Sequence, residues 1–246
     1  MALAGGVHLM TSPKSTIAMT KFGAMNPAGE CRAFDANANG YVRGEGAGIV
    51  VLKPLTRAIA DGDKIYSVIR GSAVNNDGHS NGLTAPNPEA QKAVLIKACA
   101  AAGVNPSTIH YIETHGPGTI LGDPIEAEAI GTIFGASHSV DRPVRLGSVK
   151  TNIGHAEAAA GIAGLIKTAL SLYHRTLVPN LHFSQPNPYI DFDQLHLRIQ
   201  TELEPWPLLD ELPRAGVSSF GFGGTNCHIT LEAAPRSMAI ALPISA

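Results

Sequence analysis

Short apolar runs bounded by glycine or polar residues recur along the chain and predict β-strands. The first run, Met1–Met10, is apolar around a Gly-Gly pair and predicts a buried strand at the first residues. The last, His228–Glu232, alternates between apolar and polar positions, which is typical of a half-buried strand. The other predicted strands lie at Ile49–Lys53, Ile65–Gly71, His110–Glu113, Val144–Val149, Leu197–Gln200 and Arg214–Ser219.

Segments with helical character lie between these strands. Pro88–Ala102 has proline in its first turn and is followed by glycine, which predicts a complete helix. Asp123 is predicted to be the N-cap of a helix at Ile125–Phe134, and Ala156–Tyr173 is rich in helix formers. A shorter helix is predicted at Ala58–Asp63. Strands that alternate with helices of this length predict an α/β fold, with helices packed on a mixed sheet.

Two segments lack a regular period. Thr11–Gly29, rich in Ser, Pro, Met and Gly, predicts a surface excursion with short helical turns. Phe34–Gly48 predicts a turn-rich loop that leads into a strand. The glycines at its end do not indicate a dinucleotide site, because the dinucleotide fingerprint follows a strand and opens a helix.

Composition and charge narrow the function classes. With 246 residues, of which 44% are hydrophobic, the chain can bury a core as one large or two small domains. A net charge of −2 without a basic run argues against nucleic acid or a membrane surface as partner, and no apolar stretch reaches the roughly 18 residues that span a bilayer. Three cysteines without a C-x-x-C pair argue against a disulfide framework or a zinc site and favour a cytoplasmic location.

Three glycine-rich loops each follow a predicted strand: Thr114–Thr119, Lys150–His155 and Phe220–Asn226. The carboxyl ends of strands carry the chemistry in open α/β sheets, so we expect the three loops to share one pocket. They contribute two histidines, one of them His115, and a lysine, but no convincing metal carboxylate. This set favours hydrogen-bond donors directed at an oxyanion over a zinc site.

His155 lies in Lys150–Gly161, which predicts the end of a strand, a tight turn and the start of a helix. A helix N-terminus keeps an imidazole neutral and stabilises developing negative charge. The simpler interpretation is that this histidine only caps the turn. Phe220–Asn226 leaves a similar choice open, because its glycines permit either close strand packing or the approach of backbone N–H groups to a ligand oxygen.

Five longer motifs resemble one known family. ETHGPGT at Glu113–Thr119, KTNIGHAEAAAG at Lys150–Gly161 and SFGFGGTNCH at Ser219–His228 together resemble the β-ketoacyl synthase (ketosynthase) domain of type I modular polyketide synthases. DANANGYVRGEGAG at Asp35–Gly48 and GSAVNNDGHSNGLTAPN at Gly71–Asn87 resemble its polyketide rather than its fatty-acid branch. The resemblance covers nearly the whole chain.

The resemblance implies a thiolase-like fold, in which two related α/β halves form a layered α-β-α-β-α sandwich, and a homodimer in the complete domain. Residues 1–57 then correspond to the last strands of the N-terminal half, and residues 58–232 to the C-terminal half. Residues 233–246, with LPISA at Leu242–Ala246, resemble the start of the linker that follows such a domain. The family's reactive cysteine lies upstream of these strands, so we expect an N-terminal ketosynthase segment to be missing.

The resemblance also implies roles for individual residues. His115 and His155 are the pair that polarises the malonyl thioester carbonyl during decarboxylation, and Lys150 orders His155 and the charge around it. Phe222 matches the gating phenylalanine and, with Gly223, belongs to the oxyanion loop.

The substrates of the family are carried on the phosphopantetheine arm of an acyl carrier protein. Thr119 matches one of two threonines that hold this arm. At the other position the chain has Pro117, which removes a hydroxyl and a backbone donor. No directly bound cofactor and no metal are expected.

None of Cys31, Cys99 and Cys227 stands in the family's nucleophile motif. We therefore expect the chain to be part of a decarboxylating condensing acyltransferase, inactive alone without the upstream cysteine. The alternative is a non-catalytic docking or structural half that pairs with a separate N-terminal half or with carrier proteins. Thiolase-type breakdown of ketoacyl thioesters is disfavoured, because paired histidines favour decarboxylating condensation.

Overall fold

The computed structural model describes residues 1–79, 85–207 and 212–235. These residues form ten strands: β1 (Ala2–His8), β2 (Gly46–Leu52), β3 (Ser67–Asn76), β4 (Tyr111–Glu113), β5 (Val144–Gly147), β6 (Thr176–Leu177), β7 (Leu197–Ile199), β8 (Glu204–Pro205), β9 (Arg214–Phe220) and β10 (Thr225–Ala233). The same residues form six α-helices: α1 (Lys14–Phe22), α2 (Leu55–Ala60), α3 (Pro88–Ala102), α4 (Gly122–Ile133), α5 (Lys150–Ile153) and α6 (Ala160–His174). No helix in these ranges has the length and apolar character needed to cross a membrane. The linker expected at residues 233–246 lies outside the described residues from residue 236 onward.

Six strands form one mixed sheet in the order β3-β10-β9-β4-β5-β7. β10 pairs antiparallel with β3 and β9, whereas β9, β4, β5 and β7 are parallel neighbours. This arrangement confirms the predicted α/β fold with a mixed sheet. Because β4, β5 and β9 are parallel, their carboxyl ends lie at one edge of the sheet, where the three glycine-rich loops begin.

Helices cover both faces of this sheet. α6 packs on β9 and β10 and also on the separate two-stranded sheet of β1 and β2, whereas α3 packs on β3, β10 and α4. Two apolar cores result, and Tyr111 and Ile112, successive residues of β4, belong to different ones. β4 is therefore buried on both faces, as is typical of parallel strands.

The helix predictions agree with the structure where a capping residue marks the end of the helix. α3 has the predicted bounds because Asn87 accepts two N–H groups of its first turn and Gly103, at φ +62°, ends it. α4 begins at Gly122, and the prediction that Asp123 is its N-cap is wrong. The Asp123 carboxylate instead accepts N–H groups from the preceding loop.

The first two elements differ from their predictions. β1 is a strand, but it is not buried, because only one face of the β1–β2 pair packs on α6. The exposed face includes Leu3, Val7, Ile49 and Val51, which are 58–72% exposed. The segment predicted to have only short helical turns contains α1, a helix of nine residues. None of them is buried, so the sequence carries no apolar periodicity that would predict the full helix.

A buried histidine makes the stability of this fold depend on pH. The His228 Nδ1 atom lies 2.9 Å from the Ser218 hydroxyl, and its Nε2 atom is buried without a hydrogen-bond partner among the described residues. Burial lowers the pKa of His228 to about 3. The unfolded chain takes up a proton here near pH 6.5, but the folded chain stays neutral until about pH 3. The stabilising contribution is therefore complete above pH 6.5 and is lost as the pH falls.

We expect the difference in free energy of unfolding between wild type and His228→Asn to fall by about 2 kcal/mol from about pH 6.5 to about pH 5. Urea denaturation at each pH measures it. A difference between two chains is required because burial raises the pKa values of Asp123 and Glu126, which act in the opposite direction. Ile112→Val changes the core without a titrating group and should show no such pH dependence. A pH-independent difference for His228→Asn would contradict the prediction.

Candidate active site

The loop that follows β4 is held by two buried carboxylates of α4. Glu126 accepts the backbone N–H groups of His115 (2.7 Å) and Gly116 (2.8 Å), and Asp123 accepts two more from the same loop at 3.2 Å each. Burial raises the pKa of Glu126 to about 7 and that of Asp123 to about 6, against the lowering effect of these hydrogen bonds. The two acids are three residues apart and so lie on one side of the helix.

Pro117 occupies this loop without the loss of a hydrogen bond. Every other N–H group from residue 115 to residue 119 donates to one of the two carboxylates. Gly116 and Gly118, on either side, have φ values of +33° and +89°, which suit glycine. The Thr119 hydroxyl accepts the N–H of Gly122 at 3.2 Å, which leaves its own proton free to donate.

His155 is positioned by the turn-rich loop that precedes β2. Its N–H donates to the carbonyl of Val42 (2.7 Å), and its carbonyl accepts the N–H of Gly44 (2.9 Å). The ring of Tyr41 lies 5.1 Å from the imidazole, centroid to centroid. The Nδ1 atom accepts the N–H of Glu157 at 2.9 Å and so caps a short 3₁₀ turn. The 3₁₀ turn at Glu157–Ala159 runs directly into α6, so His155 lies two residues before the helical run, as predicted, except that the first turn is 3₁₀ rather than α.

The two imidazoles lie against each other. Their centroids are 5.4 Å apart and their planes are inclined by 77°. The Nδ1 atom of His115 accepts the N–H of Phe220 at 3.4 Å, as that of His155 accepts the N–H of Glu157. Because Nδ1 is an acceptor in both rings, each neutral imidazole carries its proton on Nε2. The pair therefore has two Nε2–H donors.

Lys150 is buried next to this pair, and its ammonium donates to the carbonyl oxygen of His115. Burial lowers the pKa of Lys150, and the charges of Glu113 and Glu126 oppose that shift. Burial also lowers the pKa of His155 to about 3 and that of His115 well below its usual range, and the charge of Lys150 adds to both shifts. Both imidazoles are neutral donors at physiological pH.

Phe222 and Gly223 lie on the exposed part of the loop after β9. Phe222 is 56% exposed and packs edge to face on Phe22 of α1, with centroids 5.8 Å apart. Gly223 is exposed. The aromatic ring that packs on His115 belongs to Phe220, at 5.8 Å. The roles of Phe222 as gate and of Gly223 in the oxyanion loop stay predictions.

Sequence reasoning missed the acids that hold the site. Besides Asp123 and Glu126, Glu113 accepts the N–H of Val149 at 2.6 Å and the ammonium of Lys167 at 2.7 Å. A carboxylate within an apolar strand or helix face is costly to bury unless it is bonded, and that is the signal that could have found them. In the described part of the chain, no group of three or more His, Cys, Asp or Glu side chains could hold a metal ion.

Solved structures identify the class of this fold. The ketosynthase from module 6 of the bacillaene synthase of Bacillus subtilis 168 matches with a TM-score of 0.91 and 47% identity over 95% of this chain. The oxazolomycin ketosynthase domain OzmH KS7 from Streptomyces albus JA3453 matches with a TM-score of 0.91 and 40% identity over 96%. The fold is thus the thiolase-like α/β fold of ketosynthases.

Sequence comparisons identify the family. Residues 1–58 match the model of the β-ketoacyl synthase N-terminal domain, residues 66–184 that of the C-terminal domain, and residues 186–241 the ketoacyl-synthetase C-terminal extension. The chain belongs to the β-ketoacyl synthase family. Similar proteins are a phenolphthiocerol/phthiocerol polyketide synthase polypeptide of Mycobacterium tuberculosis (strain CDC 1551 / Oshkosh), 56% identical over 94% of the chain, and polyketide synthase GfsA of Streptomyces halstedii, 54% identical over 96%.

The chain covers only part of each of these proteins. It spans 12% of the mycobacterial polypeptide, 3% of GfsA and 42% of each of the two ketosynthase chains. The comparisons therefore identify the family of this chain, and they describe only a part of each longer protein.

Proposed function

We propose that this chain supplies the enolate-stabilising part of a polyketide-synthase ketosynthase, which joins an acyl and a malonyl thioester by decarboxylative Claisen condensation. The observation that carries the proposal is the pair of neutral imidazoles, 5.4 Å apart, with both protons on Nε2. Such donors stabilise a developing oxyanion without giving up a proton. The substrates arrive on the phosphopantetheine arms of acyl carrier proteins.

The chemistry assigns one task to each residue of the site. As the malonyl carboxylate leaves as carbon dioxide, the electron pair of the broken C–C bond moves onto the thioester carbonyl oxygen. The Nε2–H groups of His115 and His155 donate to that oxygen. Lys150 fixes the His115 carbonyl and favours neutral imidazoles by its charge. The enolate carbon then attacks the acyl thioester, and the thiolate that carried the acyl group leaves.

The acyl-accepting thiolate comes from outside these 246 residues. Cys31 is only 1% exposed. Burial raises the pKa of all three thiols, and that of Cys99 reaches about 11. A thiol with a raised pKa is a poor nucleophile at neutral pH, so none of the three fits this task.

An open apolar surface supports the docking of the segment that bears this nucleophile. The exposed face of β1 and β2 is apolar, and a groove of about 720 Å³ lies between β2 and α6, lined among others by Gly48, Ile153, Ala163 and Ile166. The two solved ketosynthase chains are more than twice as long as the part matched here. We assign this surface to the remainder of a ketosynthase, with residues 1–57 completing its N-terminal half, residues 58–232 forming its C-terminal half, and the complete domain forming a homodimer.

The pantetheine arm is assigned to the loop after β4, and the gate and oxyanion donor are assigned to the loop after β9. The Thr119 hydroxyl keeps a free proton for a pantetheine acceptor, and Pro117 shapes the loop beside it. Phe222, exposed on the other loop, forms the gate, and its backbone N–H, with Gly223 next to it, contributes to the oxyanion hole.

Incubation of the purified chain with an acyl thioester is expected to leave its mass unchanged, because its thiols are shielded and protonated. Intact-mass spectrometry measures this directly.

The chain can also be expressed together with the nucleophile-bearing segment of a ketosynthase. We call this combination the complemented enzyme. Its acylation should occur on the added segment, and malonyl carrier protein should then give a β-ketoacyl product.

Two outcomes would count against the proposal. An acyl adduct on Cys31, Cys99 or Cys227 would contradict the assignment of the nucleophile. A folded, acylated complex that neither releases carbon dioxide from malonyl carrier protein nor forms product would favour the non-catalytic docking half. A Cys→Ser variant of the added segment controls for non-covalent association.

A further inference from the structure

Arg43 links three elements around the site. Its side chain is 4% exposed. Nε and one terminal nitrogen donate to the two carboxylate oxygens of Glu157, at 2.5 and 2.9 Å. The other terminal nitrogen donates to the hydroxyls of Ser15 (2.9 Å) and Thr16 (2.7 Å) in α1, and His8 Nε2 in β1 lies 3.2 Å from the guanidinium. This bidentate geometry uses the rigid fork of arginine, which lysine lacks.

The partner of Arg43 has an unusual backbone conformation. Glu157 has φ +41°, in the left-handed region that residues with a Cβ rarely adopt. In this conformation its N–H donates to Nδ1 of His155 at 2.9 Å. That bond places the imidazole proton on Nε2. The two hydrogen bonds from the Arg43 guanidinium fix the Glu157 side chain and so stabilise this backbone conformation.

The neighbours of Arg43 fix the same imidazole from the other side. Val42 and Gly44 bond to the N–H and the carbonyl of His155, and the ring of Tyr41 packs on it. Arg43 bonds to α1 and Glu157 and lies next to β1, so these contacts restrain the loop that carries Tyr41, Val42 and Gly44. The arginine therefore influences both the position of the ring and the hydrogen bond to Nδ1.

We infer that Arg43 is a positioning residue that acts through Glu157 to keep His155 in the Nε2–H tautomer. The catalytic consequence rests on the proposed function, but the tautomer can be measured without catalysis. An arginine needed only for folding would leave the tautomer of a folded variant unchanged.

Nitrogen-15 NMR of the imidazoles in the 246-residue chain tests the inference. The chain has ten histidines, and the His155 signals are those that disappear in His155→Gln. Wild type should show the Nε2–H form. In Arg43→Gln the ratio of the Nε2–H to the Nδ1–H form should fall about five- to tenfold, because the hydrogen bond to Nδ1 is lost. Glu157→Gln breaks the same ion pair from the other side and should shift the ratio in the same direction.

Matched variants separate positioning from folding. Arg43→Lys keeps a charge beside Glu157 but lacks the bidentate fork, so it should recover only part of the wild-type ratio. Arg57→Gln alters an arginine whose side chain is 72% exposed, and it should leave the ratio unchanged. The backbone amide spectrum reports whether each variant is folded. A wild-type ratio in folded Glu157→Gln, or in folded Arg43→Gln, would overturn the inference.

A kinetic measurement distinguishes this inference from the proposed function. In the complemented enzyme, Arg43→Gln should lower kcat for malonyl decarboxylation about five- to tenfold with KM unchanged. A shifted tautomer with an unchanged kcat would support the positioning role and contradict the catalytic role proposed for His155. An unshifted tautomer would overturn the positioning role whatever the rate.

Discussion

The Lys150→Met variant is expected to have a free energy of unfolding about 3 to 5 kcal/mol below that of wild type. Lys150 is buried, its ammonium donates to the His115 carbonyl, and it interacts with the charges of Glu113 and Glu126. Methionine fills a similar space without a charge, so the variant leaves buried acids and a carbonyl without this partner. Urea denaturation at neutral pH measures the loss.

A second substitution shows whether the loss comes from buried charge. In the double variant Lys150→Met/Glu126→Gln the loss should be smaller than the sum of the two single losses by about 1 kcal/mol or more, because the second substitution removes a carboxylate that has lost its cationic partner. Lys92→Met alters a pair whose Glu89 side chain is 78% exposed, and it should cost less than about 1 kcal/mol. If Lys150→Met costs no more than Lys92→Met, Lys150 does not balance the buried acids.

Replacement of His155 by alanine is expected to lower kcat for malonyl decarboxylation in the complemented enzyme about 100- to 1000-fold. The Nε2–H group acts on an oxygen whose charge develops in the transition state, so KM should change little. His115→Ala should have an effect of the same order. His155→Gln retains an N–H donor and should lose less activity. Release of carbon dioxide from malonyl carrier protein measures all of these rates.

Lys97→Ala provides the control for this prediction. Lys97 is exposed on α3, which packs on β3, β10 and α4. Its replacement should leave kcat within about twofold of wild type, as is usual for an exposed position away from the reacting atoms. A His155→Ala variant with a raised KM and an unchanged kcat would contradict stabilisation of the enolate.

The sequence predicted best those elements whose first and last residues carry a local signal, such as a capping residue or a terminal glycine. α3 carries its own N-cap and terminal glycine, and the loops of His115 and His155 follow strands that prove to be parallel neighbours. The fold class followed from this alternation and from the family motifs. The bridge that holds His155 before the 3₁₀ turn could not be predicted, because the contacts of Val42 and Gly44, more than 100 residues away in the chain, determine it.

Contacts between distant segments account for most of what sequence reasoning missed. Asp35 accepts the N–H groups of Ser184 and Gln185, about 150 residues later in the chain. Burial raises its pKa, but these and other backbone hydrogen bonds prevail and lower the pKa to about 2. Arg43 meets Glu157 across 114 residues in the same way. A short-range pattern has no signal for such pairs, because their geometry arises only after the sheets have formed.

The infrared carbonyl stretch of a bound, non-decarboxylating malonyl thioester analogue tests most directly whether the two imidazoles share one oxygen. In the complemented enzyme the stretch should lie at lower frequency than in water, because two Nε2–H groups polarise the carbonyl. His115→Ala and His155→Ala should each remove part of this shift, and the double variant all of it. An unshifted carbonyl in wild type, or the same shift in the double variant, would contradict a shared oxyanion site.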